Sequence, residues 1–292
     1  MRLLPDRKSA WAAYLLFVAL FFVYLVNAAR VYHALSGKTH AVKLRPDFPL
    51  YPKGQFGYSL FMDPSMVNSP FAEGVEFKAL FWRALFAAGN PPLRAFLRST
   101  DALYEVAANR QSFWPQKHRP LMQFFVSTAG LEKGIYQLGL YLFEGTGGRF
   151  EWTRHVFEKA DGGPAEYVAR PLVLGPARIS HDLKFRIEGL WETKGLIEIR
   201  GWVAVDNVEM SDYDGYIKIE SPAGVAKAFY APLYTRMDIA SMYEDPKAAN
   251  CGFRIRIPKS EIGAGRYSIK VAVQHRKTHE IFEPARAWTK NF

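Results

Sequence analysis

The chain has 292 residues, of which 49% are apolar, enough to bury real cores, so long disorder is excluded. Near-average glycine and proline exclude a collagenous or low-complexity chain, and a lone Cys251 excludes an internal disulfide framework or a cysteine-based zinc site. The net charge of +10 is uneven: residues 30–45 carry +4 without an acid, as much as the whole of residues 46–292.

After a short basic tail, 1–9, residues 10–29 run for twenty positions without a charge, and this predicts a transmembrane helix across a hydrocarbon core of roughly 30 Å. Trp11, Tyr14, Phe17, Phe21, Phe22 and Tyr24 are its expected membrane anchors. A cleaved signal peptide is the competing reading, and the apolar run is long for one. The expected address is a bacterial inner membrane, crossed once, with the N-terminus cytoplasmic and the remaining chain periplasmic. Residues 30–45 read as a basic juxtamembrane linker whose Arg30, Lys38, Lys43 and Arg45 suit anionic lipid or an acidic partner. Nucleic acid is not an expected partner, because no basic stripe or binding motif follows.

Internal repetition organises the rest. Leu131–Leu140 aligns with Ile262–Val271 through matching Gly134 and Gly265, Tyr136 and Tyr267. Glu76-Phe77-Lys78 matches Glu198-Ile199-Arg200, Glu105-Val106-Ala107 matches Asp238-Ile239-Ala240, and Arg45-Pro46 matches Arg170-Pro171. The expectation is two β-sandwich modules, 46–160 and 178–292, joined by a Gly/Pro-rich linker, 161–177. Apolar residues alternate at Tyr267, Ile269, Val271 and Val273, and again at Ile197, Ile199 and Gly201, the pattern of strands with one buried face. The stretch Val75–Ala88 also fits a helix, but its match to residues near 199 favours strands.

Gly201-Trp202, Arg236-Met237-Asp238-Ile239-Ala240, Gly252-Phe253, Pro258 and Gly265-Arg266-Tyr267 together resemble the immunoglobulin-like β-sandwich modules of bacterial cell-envelope and glycan-handling proteins. The resemblance implies immunoglobulin-like β-sandwiches and a glycan ligand; with the helix and the repeat, the expected fold is all-β, an N-terminal transmembrane helix followed by two tandem antiparallel sandwiches. The first module has Leu80 and Leu103 where the second has Trp202 and Arg236.

No catalytic constellation, cofactor or metal site is expected. His275 and His279 sit too far apart on a strand for one ion, and Ser180-His181-Asp182 reads as a turn. The acidic loop Asp206–Gly215 is the best calcium candidate, though it departs from the EF-hand pattern. Gly145–Gly148 reads as a hairpin, Arg236 with Asp238 as a local ion pair, and Cys251 as a buried apolar residue. Residues 46–160 hold 22 aromatics, against 14 in residues 171–292, so the first module is the stickier one. Phe113, Trp114, Arg119, Tyr141 and Phe143 are the expected partner-binding residues, the last two on a strand apolar on both faces.

These features predict a non-enzymatic accessory subunit that binds integral membrane proteins in a photosynthetic, respiratory, secretion or polysaccharide machine. The alternative is a membrane-anchored glycan-binding module in which Trp202, Trp191 or Tyr243 stacks on sugar rings. An enzyme would need a cleft gathering distant residues, such as His155 with Asp182 or Glu192.

Overall fold

The computed structural model describes residues 15–22, 41–45, 63–69, 72–80, 93–106, 108–114, 121–144 and 147–292. The chain is predominantly β, and its strands form four sheets. In chain order the first strands are β1 (Val42–Leu44), β2 (Asp63–Ser69), β3 (Ala72–Leu80), β4 (Leu93–Arg98) and β5 (Leu103–Val106). They are followed by β6 (Ala108–Trp114), β7 (Leu121–Ser127), β8 (Gly134–Glu144), β9 (Gly147–Ala160) and β10 (Gly163–Glu166). These strands build one sheet ordered β1-β5-β4-β8-β9-β10 and another ordered β2-β3-β7-β6.

The later strands begin with β11 (Pro171–Leu172), β12 (Ala177–Ser180), β13 (Leu183–Thr193), β14 (Leu196–Val205), β15 (Tyr213–Glu220) and β16 (Ala226–Tyr230). Then come β17 (Leu233–Tyr234), β18 (Gly252–Pro258), β19 (Arg266–His275), β20 (Ile281–Pro284) and β21 (Trp288–Asn291). Their sheets are ordered β11-β16-β15-β19-β20-β12 and β13-β14-β18-β17, and β21 pairs with β19. The strand order of the first half therefore recurs in the second, with β3, β7 and β8 answering to β14, β18 and β19.

Each pair of sheets shares one core. Val75, Phe77, Phe124 and Val126 pack against Leu97, Tyr104, Leu138 and Phe157 in the first. Ile197, Ile199, Phe253 and Ile255 pack against Ile217, Phe229, Ile269 and Val271 in the second. The two-residue period of these strands sends every second side chain inward, and each such burial contributes about 1.5–3 kcal/mol. Gly201 is required where β13 crosses β14, because a Cβ there would run into the Arg186 carbonyl oxygen.

Several sequence expectations need correction. Val42–Leu44 pairs with Leu103–Glu105, so Lys43 belongs to a sheet edge and the first sheet begins inside the stretch read as a linker. The expected linker 161–177 is likewise strand-paired, β10 to β9 and β11 to β16, because its backbone groups complete sheet edges on both sides. The sheets are antiparallel except that β12 runs parallel to β20. Glu105 lies on β5 whereas Asp238 lies on the helix Met237–Met242, so that part of the alignment does not reflect equivalent structure.

Residues 15–22 are helical, with Phe17, Phe21 and Phe22 exposed. Among the described residues no helix is long and apolar enough to cross a membrane. Trp11, Tyr14, Tyr24, Arg30 and Lys38 lie outside the described residues, as do 81–92, most of the Val75–Ala88 question. Ala72–Leu80 is a strand, as its match to β14 requires.

Candidate functional site

The two sheet pairs meet through buried polar groups. On β4, alternation sends Ala95 and Leu97 into the first core and turns Phe96 and Arg98 to the other face. Arg98 is buried there, its guanidinium 4.1 Å from the Trp152 ring centroid. Its Nε donates to Gln137 Oε1 at 2.7 Å, and its Nη2 donates to the Leu233 carbonyl of β17 at 2.6 Å. Gln137 Nε2 donates to that same carbonyl at 2.9 Å and to the Thr153 carbonyl at 2.7 Å. Trp152 and Thr235 exchange bonds, with Trp152 N donating to Thr235 Oγ1 at 3.0 Å and Thr235 N donating to the Trp152 carbonyl at 2.9 Å.

No carboxylate pairs with Arg98 among the described residues; burial first, and the charge of Arg276 second, lower its pKa to about 9. It stays cationic at neutral pH. Nearby Arg276 donates to Asp214 Oδ1 at 2.5 Å, and Tyr230 Oη donates to the same oxygen at 3.1 Å.

Beside this junction lies a cleft of about 460 Å³, between β3, β9, β10 and β18. Val75, Phe77, Phe157 and Tyr167, all buried, close its base, and Arg154, His155, Glu166, Arg254 and Arg256 give it a charged wall. Arg254 and Arg256 share one face of β18 because Phe253, Ile255 and Ile257 between and around them point into the core.

Glu198, opposite Arg256 in the ladder, organises the arginines. It accepts from Arg254 Nη2 at 2.8 Å, from Arg256 Nε at 3.2 Å, and from Arg200. Burial alone would raise its carboxyl, but bonds to Arg254 and Arg256 with the charge of Arg200 overrule it and hold the group at about 2. Arg256 also pairs with Glu166.

Arg154 has neither an ion pair nor a side-chain hydrogen bond among the described residues, and the Nε of Arg254 is buried without an acceptor. Burial, then the charge of Arg254, lowers the pKa of Arg154. His155 meets Phe77 edge-on at 5.7 Å, and burial followed by the charges of Arg154, Arg254 and Arg256 holds its imidazole at about 3. This is a cationic recess, suited to holding an anion.

The residues singled out from sequence fall elsewhere. Phe113 and Trp114 lie on edge strand β6, paired with Met122 and Leu121, and Arg119 lies outside the described residues. Phe143 pairs with Gly148 on β8 and β9, confirming the hairpin there. Tyr141 is half-buried against Phe96, Leu103, Phe150 and Trp152, so at this position the second face of the strand is covered by the chain itself. Arg45 is exposed beyond β1.

Trp202 is buried and meets Tyr243 edge-on at 5.6 Å, so it offers no face to a sugar ring. Trp191 is 46% exposed, with the Arg200 guanidinium 4.8 Å from its ring centroid. Arg236 does bind Asp238 and reaches Glu188 as well, at 2.7 and 2.9 Å. Three carboxylates of the acidic loop are engaged: Asp206 pairs with Lys184 at 2.8 Å, Glu209 accepts from Ser211 Oγ at 2.7 Å, and Asp214 pairs with Arg276. Among the described residues no cluster of three or more His, Cys, Asp or Glu side chains could hold a metal ion. His155 is gathered with arginines, while Glu192 pairs with Lys259 at 2.5 Å.

Sequence reasoning missed Arg98, Gln137, Arg154, Arg254 and Arg256. The alternation of Arg254 and Arg256 along a strand was the one available signal, since it places both on a single face. No known protein family and no curated protein matches this chain.

Proposed function

We propose that this chain is a non-enzymatic, membrane-anchored accessory subunit in which two immunoglobulin-like β-sandwiches, locked to each other, present a rigid surface to partner membrane proteins. The observation that carries this reading is the buried junction: Arg98 and Gln137 on one sandwich converge on the Leu233 carbonyl of the other. A charged side chain left in such a place tolerates little movement, because any separation strips a buried cation of its acceptors. Two flexibly tethered modules would have no use for such a contact. The apolar residues 10–29 supply the anchor, and the sandwiches stand on the periplasmic side.

Glycan stacking is the less favoured use of the same fold, because Trp202 is covered by Tyr243. The test is extraction of the tagged protein in mild detergent, followed by sizing and mass spectrometry of whatever survives a salt wash. A stoichiometric complex with integral membrane proteins is expected. A monodisperse protein without a partner overturns the role.

A further inference from the structure

We propose that the cleft between β9 and β18 is a binding site for a small anion bearing a phosphate or carboxylate group. The site stands apart from the accessory role and survives its failure.

Among the described residues, four guanidiniums, those of Arg154, Arg200, Arg254 and Arg256, gather around two carboxylates, those of Glu198 and Glu166. The excess is concentrated on Arg154, which has no partner among the described residues, and on the unbonded, buried Nε of Arg254. A fold gains nothing from holding an unpaired cation beside three others. Planar guanidiniums match the oxygens of a phosphate or carboxylate, and such an anion supplies the missing acceptors. Phe77 and Phe157 close the base of the cleft but are fully buried, so the arginines supply its binding surface. A volume of about 460 Å³ takes a small molecule rather than a polymer. In this site Arg154 and Arg254 take the oxyanion beside His155.

The test is calorimetric titration of the full chain in detergent micelles with phenyl phosphate, benzoate and inorganic phosphate. Saturable one-site binding of phenyl phosphate or benzoate is expected, weakened about tenfold or more in Arg154→Gln, which removes one charge-assisted contact. Lys247→Gln, an exposed lysine away from the cleft, leaves the affinity unchanged. Should Arg154→Gln fail to fold, Arg254→Lys, which keeps a cation beside Glu198 while deleting Nε, shows the same weakening. Competition by phosphatidylglycerol vesicles, and none by phosphatidylcholine vesicles, identifies the oxyanion as a lipid headgroup; absence of competition identifies a soluble anion. No saturable binding, or binding indifferent to both arginine variants, overturns the site. Inorganic phosphate is expected to compete for the same site, and its failure to do so overturns recognition of the oxyanion.

Discussion

The Nη2 of Arg98 and the carbonyl oxygen of Leu233, 135 positions apart in the chain, lie 2.6 Å from each other in a buried junction. No carboxylate pairs with this arginine among the described residues, and it relies on two neutral oxygens and the face of Trp152. Arg98→Ala removes the donor, leaves Gln137 Oε1 unsatisfied and opens a void beneath Trp152, at an expected cost of about 2–4 kcal/mol in urea denaturation. Arg98→Met fills the void and avoids burying a charge, so it costs less than Ala. A Met variant as destabilised as the Ala variant contradicts this view of the junction.

His155 sets an acid limit. Its imidazole titrates at about 3 when folded, against 6.5 ordinarily, because it is half-buried and desolvated and faces Arg154, Arg254 and Arg256. The unfolded chain therefore takes up this proton first as the pH falls. Stability from this group is complete above pH 6.5 and declines below it, by up to about 1.4 kcal/mol per pH unit. Urea midpoints between pH 7.5 and 4.5 show the decline, and His155→Leu flattens it. An identical slope in the variant excludes His155 as its source.

Glu198 behaves in the complementary way. Its folded pKa, about 2, lies below the ordinary 4.5, so its contribution is full above 4.5 and lost as pH falls toward 2. Glu198→Gln leaves Arg254, Arg256 and Arg200 without their shared carboxylate, and about 1–3 kcal/mol is the expected loss at pH 7, given partial exposure of the arginines. The difference between variant and wild type shrinks as the solution is acidified. A difference as large at pH 3 as at pH 7 means the loss comes from packing instead.

Cys251 is fully buried, and burial pushes its thiol up to about 12. Iodoacetamide is expected to leave it unmodified in the folded protein and to label it at the rate of unfolding when urea is added. Prompt labelling in buffer alone would show that the small cluster around Trp202 opens freely.

The sheets were legible where one face of a strand is buried, because Ile197 with Ile199, and Ile269 with Val271 and Val273, write that burial into a two-residue period. The bend at Arg236 and Asp238 was legible too, since the pair is local. The junction and the cleft were not. Gln137 and Leu233 are 96 positions apart, and Arg154 meets β18 only after β9 has been laid across it. No periodicity records which outward-facing polar residues a tertiary contact will bury. Trp202 misled for the same reason, since the helix Met237–Met242 and Tyr243 that cover its ring arrive from the loop before β18.

The rigid junction is tested most directly by the distance between spin labels on the two sheet pairs. Lys133→Cys and Lys247→Cys place both labels on exposed positions, and the inert thiol of Cys251 stays unlabelled. A single narrow distance distribution in the wild-type background, broadened by Arg98→Ala, is the predicted result. A broad or two-peaked distribution before any junction residue is changed would contradict the locked arrangement.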